Sequence, residues 1–318
     1  MIFPSAAEER TVFHLLDINE LYKILIAILM LCWQLPAQAL TIEITEGVEG
    51  ALPIAVVPFG WQGTGAAPTP ALSDIVDADL QRSGRFKTLP LGDMLARPSD
   101  QSEVDFRDWR VLGMDYLVIG QVSPNGPGGY LVRFQLFDVF RGEQLAGFQV
   151  PATERNLRAT GHQISDIVYE KLLGERGAFA TRIAYVTSVA KGDQRQVELR
   201  IADADGHAPQ TIVRSEEPLM SPAWSPDGKR LAMVHLDRGN YRIAVMDLKS
   251  KEMLIVSAGQ QDESPSFAPN SDTLIYATRT GRDGVLESVT ADGLIRQKLA
   301  PRVGGDVREP VWSPFPRF

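Results

Sequence analysis

Apolar and polar positions fall into three main rhythms along the chain, and each predicts a different structure. The first is unbroken: Lys23 precedes an apolar run from Ile24 through Met30 and Leu31 to Leu35, which Pro36 ends. At about 12 residues the run is short of the roughly 20 that span a bilayer as a helix. Ala37-Gln38-Ala39 then offers small residues at signal-peptidase spacing. A basic flank, a short apolar core and an Ala37/Ala39 cleavage site predict a secretory signal, with Leu40 as the first mature residue. An uncleaved anchor is the alternative. Residues 40–51 follow as a segment with period two, Ile42 and Ile44 alternating with Thr41, Glu43 and Thr45, which reads as an edge strand or as an extended tail that pairs with another protein.

The second rhythm is mixed α/β, over residues 52–176. PIAVVPF (53–59) and DYLVIGQV (115–122) are short apolar runs that predict buried strands. Leu72, Ile75, Val76 and Leu80 lie at helical spacing, and Gly84 stops that helix. Tyr130, Val132, Phe134 and Leu136 alternate with Arg133 and Gln135, as in a half-buried antiparallel strand, and another strand is expected near Gln144–Val150. Ile164, Ile167, Val168 and Leu172 stripe a second helix ending at Gly174.

The third rhythm, over residues 177–318, is all-β and repetitive. Ser221-Pro-Ala-Trp-Ser-Pro-Asp-Gly228 returns as Ser264-Pro-Ser-Phe-Ala-Pro-Asn-Ser271 and as Glu309-Pro-Val-Trp-Ser-Pro314. The marker aromatics Trp224, Phe267 and Trp312 are 43 and 45 residues apart. A period near 40–45 with four strands per unit is the signature of propeller blades. With the marker segment as strand A, three strands B, C and D follow Trp224 and again Phe267. A B-C-D set without an A precedes them (182–188, 197–206, 210–214), and Trp312 stands in an A without B, C and D. Three A strands and three B-C-D sets, offset by one, predict a clasp in which the terminal A completes the first blade.

Composition narrows the function. The net charge of −8 argues against nucleic acid as the main partner, which requires a basic surface. Cys32 is the single cysteine and falls inside the signal, so the mature chain is expected to carry no thiol chemistry. Residues 1–20 carry Glu8, Glu9, Asp17 and Glu20 against Arg10, the wrong sign for a signal's first region, and read as an upstream extension. No G-x-S-x-G nucleophile turn occurs, and His162, His207 and His235 show no ligand or triad spacing. Gly60-Trp-Gln-Gly-Thr-Gly65 lacks the Gly-Lys-Ser/Thr ending of a phosphate loop. The Asp-Gly pairs at 205–206, 227–228 and 292–293 are read as turns rather than calcium sites. No catalytic, cofactor-binding or metal residue is therefore expected, nor a small-molecule substrate.

PIAVVPFGWQGTGAAP (53–68), DIVDADLQRSGRF (74–86), MDYLVIGQV (114–122), GHQISDIVYEKLLGERGAFATRIAYV (161–186), SPAWSPDGKRLA (221–232) and EPVWSPF (309–315), in this order, resemble the TolB family over nearly all of the mature chain. The resemblance implies an α/β N-terminal domain plus an all-β propeller, and a non-enzymatic periplasmic adaptor of the Tol-Pal system. Such an adaptor links inner-membrane TolA to the outer-membrane lipoprotein Pal and supports envelope integrity and invagination at cell division. It places the TolA-binding segment, by position, on residues 40–51, here Leu40, Thr41, Ile42, Glu43 and Ile44 at its start. The family propeller has six blades, whereas three repeats are counted here, so an incomplete or open ring and weak or no Pal binding are expected. Two copies related by a two-fold axis could supply six blades, and a degenerate product or an unrelated periplasmic ligand-binding propeller remain alternatives.

Overall fold

The computed structural model describes residues 50–192, 194–280, 283–299 and 307–313. Ala37, Ala39 and the Leu40–Ile44 segment lie outside the described residues. Among those described, no helix is long and apolar enough to cross a membrane.

The N-terminal part is a mixed sheet with helices on both faces. Its elements are β1 (Leu52–Val56), β2 (Gly60–Trp61), α1 (Leu72–Arg82), β3 (Phe86–Thr88), α2 (Phe106–Val111), β4 (Tyr116–Pro124), β5 (Gly129–Asp138), β6 (Glu143–Thr153) and α3 (Leu157–Leu173). The sheet order is β3-β1-β4-β5-β6, with β2 beside β4. β1 runs parallel to β3 and β4, and β4, β5 and β6 are antiparallel. β1 and β4 read as continuous apolar runs because both their faces are covered. One face packs Ile54, Val56, Val118 and Phe134 against Leu72, Val76 and Leu80 of α1 and Ile164 and Val168 of α3. The other packs Ala55, Leu117 and Ile119 against Trp109 of α2 and Leu89. α3 ends at Gly174, whose φ of +74° is the left-handed cap that favours glycine. The Asp166 carboxylate on α3 then accepts from the Phe179 and Ala180 amides at 2.8 and 3.1 Å, fixing the connection into the third region.

Three antiparallel sheets follow in sequence order. The first blade is β7 (Arg182–Lys191), β8 (Gln194–Asp203) and β9 (Gln210–Ser215). The second is β10 (Leu219–Trp224), β11 (Arg230–Asp237), β12 (Asn240–Asp247) and β13 (Met253–Ile255). The third is β14 (Asp262–Phe267), β15 (Thr273–Thr280), β16 (Asp283–Thr290) and β17 (Arg296–Leu299). Period-two alternation sends each strand's side chains to two different neighbours. Leu231, Met233, Ala244 and Met246 of the second blade meet Val197, Leu199 and Ile201 of the first. Ala232, Val234, Ile243 and Val245 meet Phe267, Leu274, Tyr276 and Val289 of the third. The second blade is thus buried on both faces, and the outer two on one.

The clasp differs from the sequence expectation. The first blade has three strands, and among the described residues nothing pairs with the free edge of β7. The segment bearing Trp312 instead lies against the third blade, where the Trp312 amide donates to Ser266 Oγ at 3.2 Å. The ring is open because three repeats do not bring its ends together.

Candidate functional site

The blade markers sit in one local structure built three times. Ser221, Ser264 and Glu309 each precede a proline and adopt φ of +50°, +54° and +51°. In the two complete blades this residue falls inside a bulge of the A–B register, between Met220 and Ala223 and between Glu263 and Ser266. The bulge turns the strand so that the aromatic three residues on faces the preceding blade. The Arg182 guanidinium lies 5.1 Å from the Trp224 ring centre, and that of Arg230 lies 6.0 Å from Phe267. A basic residue opening one blade's B strand therefore covers the next blade's marker. Trp312 continues the series beside the third blade, 36% exposed. Alongside the bulges lies an open cleft of about 530 Å³ lined by Met220, Ser221, Tyr241, Asp262, Glu263 and Ser264, a polar groove suited to a peptide loop.

A charged joint ties α3 to the first blade. His162 Nδ1 lies 2.6 Å from Asp79 Oδ2 on α1, and the Nε2 side faces Asp205 Oδ2 of the β8–β9 turn at 3.7 Å. Arg158, one turn earlier on α3, pairs with both Asp203 and Asp205. Arg82 Nη2 adds a 2.6 Å contact to Asp79 Oδ1. Burial pushes the Asp79 carboxyl up, but the hydrogen bond and charge of His162, with the hydrogen bond from Arg82, outweigh it and hold the group below the ordinary carboxylate range. His162, Asp203 and Asp205 offer three ligand atoms within 4.8 Å. The Arg158 guanidinium already rests on both carboxylates and supplies the positive charge a metal would bring. Ser165 is fully buried and donates to the Gly161 carbonyl at 3.1 Å, which keeps its hydroxyl from any substrate.

The residues singled out in the sequence are thus partly brought together. Trp224, Phe267 and Trp312 form one repeated feature, and the Leu40–Ile44 segment stands outside the described part. The three Asp-Gly pairs are turns in which Asp205, Asp227 and Asp292 accept from the amide two residues on, at 2.9, 3.1 and 3.0 Å. The His162 joint escaped sequence reading, because its partners are 83 and 43 residues away.

An α/β domain latched to four-stranded repeats with bulged inner strands defines a two-domain propeller protein. The TolB amino-terminal domain family matches residues 40–145, and the TolB beta propeller domain family matches 169–249 and 226–316. The chain belongs to the TolB family. The Tol-Pal system protein TolB of Thioalkalivibrio sulfidiphilus is 34% identical over 429 positions, covering 92% of this chain and 98% of that protein. That of Xanthomonas euvesicatoria is 44% identical over 412 positions, covering 87% and 94%. The crystal structure of TolB from Acinetobacter baumannii matches with a TM-score of 0.70 at 29% identity, over 81% of this chain and 62% of that one. The structural match thus spans less than two thirds of that TolB. In the first alignment, 92% of 318 residues fill about 290 of 429 positions, leaving roughly 135 unmatched, about three repeats of 45. Since that alignment runs over 98% of the relative, the shortfall is internal.

Proposed function

We propose that this chain is a non-enzymatic periplasmic adaptor of the Tol-Pal system, exported by cleavage after Ala39 and joining TolA to a Pal-type lipoprotein. The observation that carries this reading is the match of both domains, in order, to Tol-Pal system proteins named TolB. Docking to TolA runs through residues 40–51. Their backbone adds a strand to a sheet edge of the partner, Ile42 and Ile44 fill pockets on one side, and Thr41 and Glu43 face the other. Leu40 anchors the start of that strand. Pal is met by the bulged inner ends of the blades. With three repeats in place of six, one copy of the chain presents about half of that face and binds Pal more weakly than an intact ring.

The test is co-purification of the tagged full chain from cross-linked cells, probed for TolA and Pal. The chain should recover TolA, and a form lacking 40–51 should lose TolA while keeping its circular dichroism spectrum. Equal recovery by both forms would remove the N-terminal segment from the account. Recovery of neither protein by the full chain would remove the adaptor role.

A further inference from the structure

The half-finished repeats at the two ends of the blade series fit each other. By alignment of the B strands, Ile183 occupies the place of Leu231 and Leu274, and Ala184 that of Ala232 and Ile275. In the complete blades the marker pairs with the first of these positions, Trp224 with Leu231 and Phe267 with Leu274. The residue before it pairs with the second, Ala223 with Ala232 and Ser266 with Ile275. The rule assigns Trp312 to Ile183 and Val311 to Ala184. Yet 307–313 repeats the A strands' positive φ at Glu309 while lying against the third blade. Val311 is 82% exposed there, and Ile183 is 41% exposed on the free edge of β7.

We infer that two copies of the chain close one six-bladed ring about a two-fold axis, each copy's 307–313 segment serving as the missing A strand of its partner's first blade. An internal loss of about three repeats leaves half of six, so two arcs complete the circle without a surplus blade. The exposed faces agree. Away from the second blade, the third blade presents the half-buried Ile275 and Leu286, the places that Ala232 and Ile243 hold in the second blade's contact with the third. The first blade's free face presents Ile183, Tyr185 and Val189. Tyr185 stands where Tyr276 packs in the third blade. The charges on that face are already matched, because Glu198 is held by Arg200 and Arg214 at 2.6 and 3.0 Å. Glu198 therefore enters the joint with its charge already matched. Pairing within one copy would require the segment to leave the third blade, so the partner's β7 is the edge that comes to it.

The inference does not depend on the Tol-Pal partners and is tested without them. Sedimentation equilibrium of the unmodified chain at tens of micromolar should give twice the chain mass, and a strict monomer would overturn the proposal. In a Cys32→Ser background, Ala184→Cys and Val311→Cys together should oxidise to a disulfide, since facing residues of an antiparallel pair lie roughly 4.5–5.5 Å apart between Cα atoms, within disulfide reach. The expected product runs at twice the mass on a non-reducing gel. A disulfide formed within one chain would show the segment clasping its own first blade and would overturn the proposal. So would free thiols in a folded, oxidised sample. Ile183→Asp should weaken self-association at least tenfold with the circular dichroism spectrum unchanged, and undiminished association would count against the shared edge.

Discussion

Asp79 and Glu198 are two carboxylates that hydrogen bonds hold below their ordinary range. Asp79 sits at 1% exposure among His162, Ser165 and Arg82, so Asp79→Ala leaves a buried imidazole N–H without an acceptor. That should cost about 1–3 kcal/mol, read by urea unfolding. Glu198 is held down to about 2, from its usual 4.5, by hydrogen bonds from Arg214 and Arg200, with Thr211 adding a third. A carboxyl lowered in the folded state stabilises fully above its unfolded pKa and loses that contribution as pH falls through the folded one. Glu198 therefore contributes stability above pH 4.5 that disappears between pH 4.5 and 2. Glu198→Gln should flatten the acid limb of the stability profile in that window, and an unchanged limb would show the arginines to be idle. Two members of the His162 joint carried a sequence signal that the reading left unused. Asp79 falls on the buried stripe of α1 with Ile75, Val76 and Leu80, and Ser165 on that of α3 with Ile164 and Val168. A polar residue inside an apolar stripe signals a buried partner, but spacing alone does not say that the partner is on another helix or in a blade turn.

Between elements, α1 packs closely on α3 through a glycine. A Cβ on Gly161 would come within 2.9 Å of Ile75 Cγ2 and 3.0 Å of its Cβ, so the helices cross through the glycine. Gly161→Ala gains up to about 1 kcal/mol of helix propensity and loses roughly 1–3 to overpacking, for a net destabilisation. Adding Ile75→Ala should relieve the clash while opening a cavity of its own, so the double variant should be less impaired than the sum of the singles in urea titration. Leu231, fully buried between the first two blades, should cost about 2–5 kcal/mol as Leu231→Ala. Elements with a strong period were legible: β5 by its alternation, α1 and α3 by their stripes, the blades by their 43- and 45-residue repeat. α2 was not, because Phe106–Val111 is too short to show a period and places one buried residue, Trp109, among Arg107, Asp108 and Arg110. β3, three residues long, is held by pairing with β1 rather than by any pattern of its own.

For the whole molecule, a repeat sequence encodes what each blade does to its neighbours and is silent on which copy the neighbour belongs to. That is why the offset of strands was legible while its consequence was not: the terminal A strand was expected on its own first blade and lies on the third. A ring shared by two chains would carry two α/β domains and two N-terminal segments, so it would present two TolA-binding strands on one propeller. The adaptor reading itself concerns docking through an extended segment rather than a reactive group. Its most direct measurement is calorimetric titration of purified TolA into the mature chain, alongside the Ile42→Asp, Ile44→Asp variant. The account predicts saturable binding by the first and at least a hundredfold weaker binding by the second, with both equally folded. Equal affinity in the two titrations, or no heat in either, would contradict it.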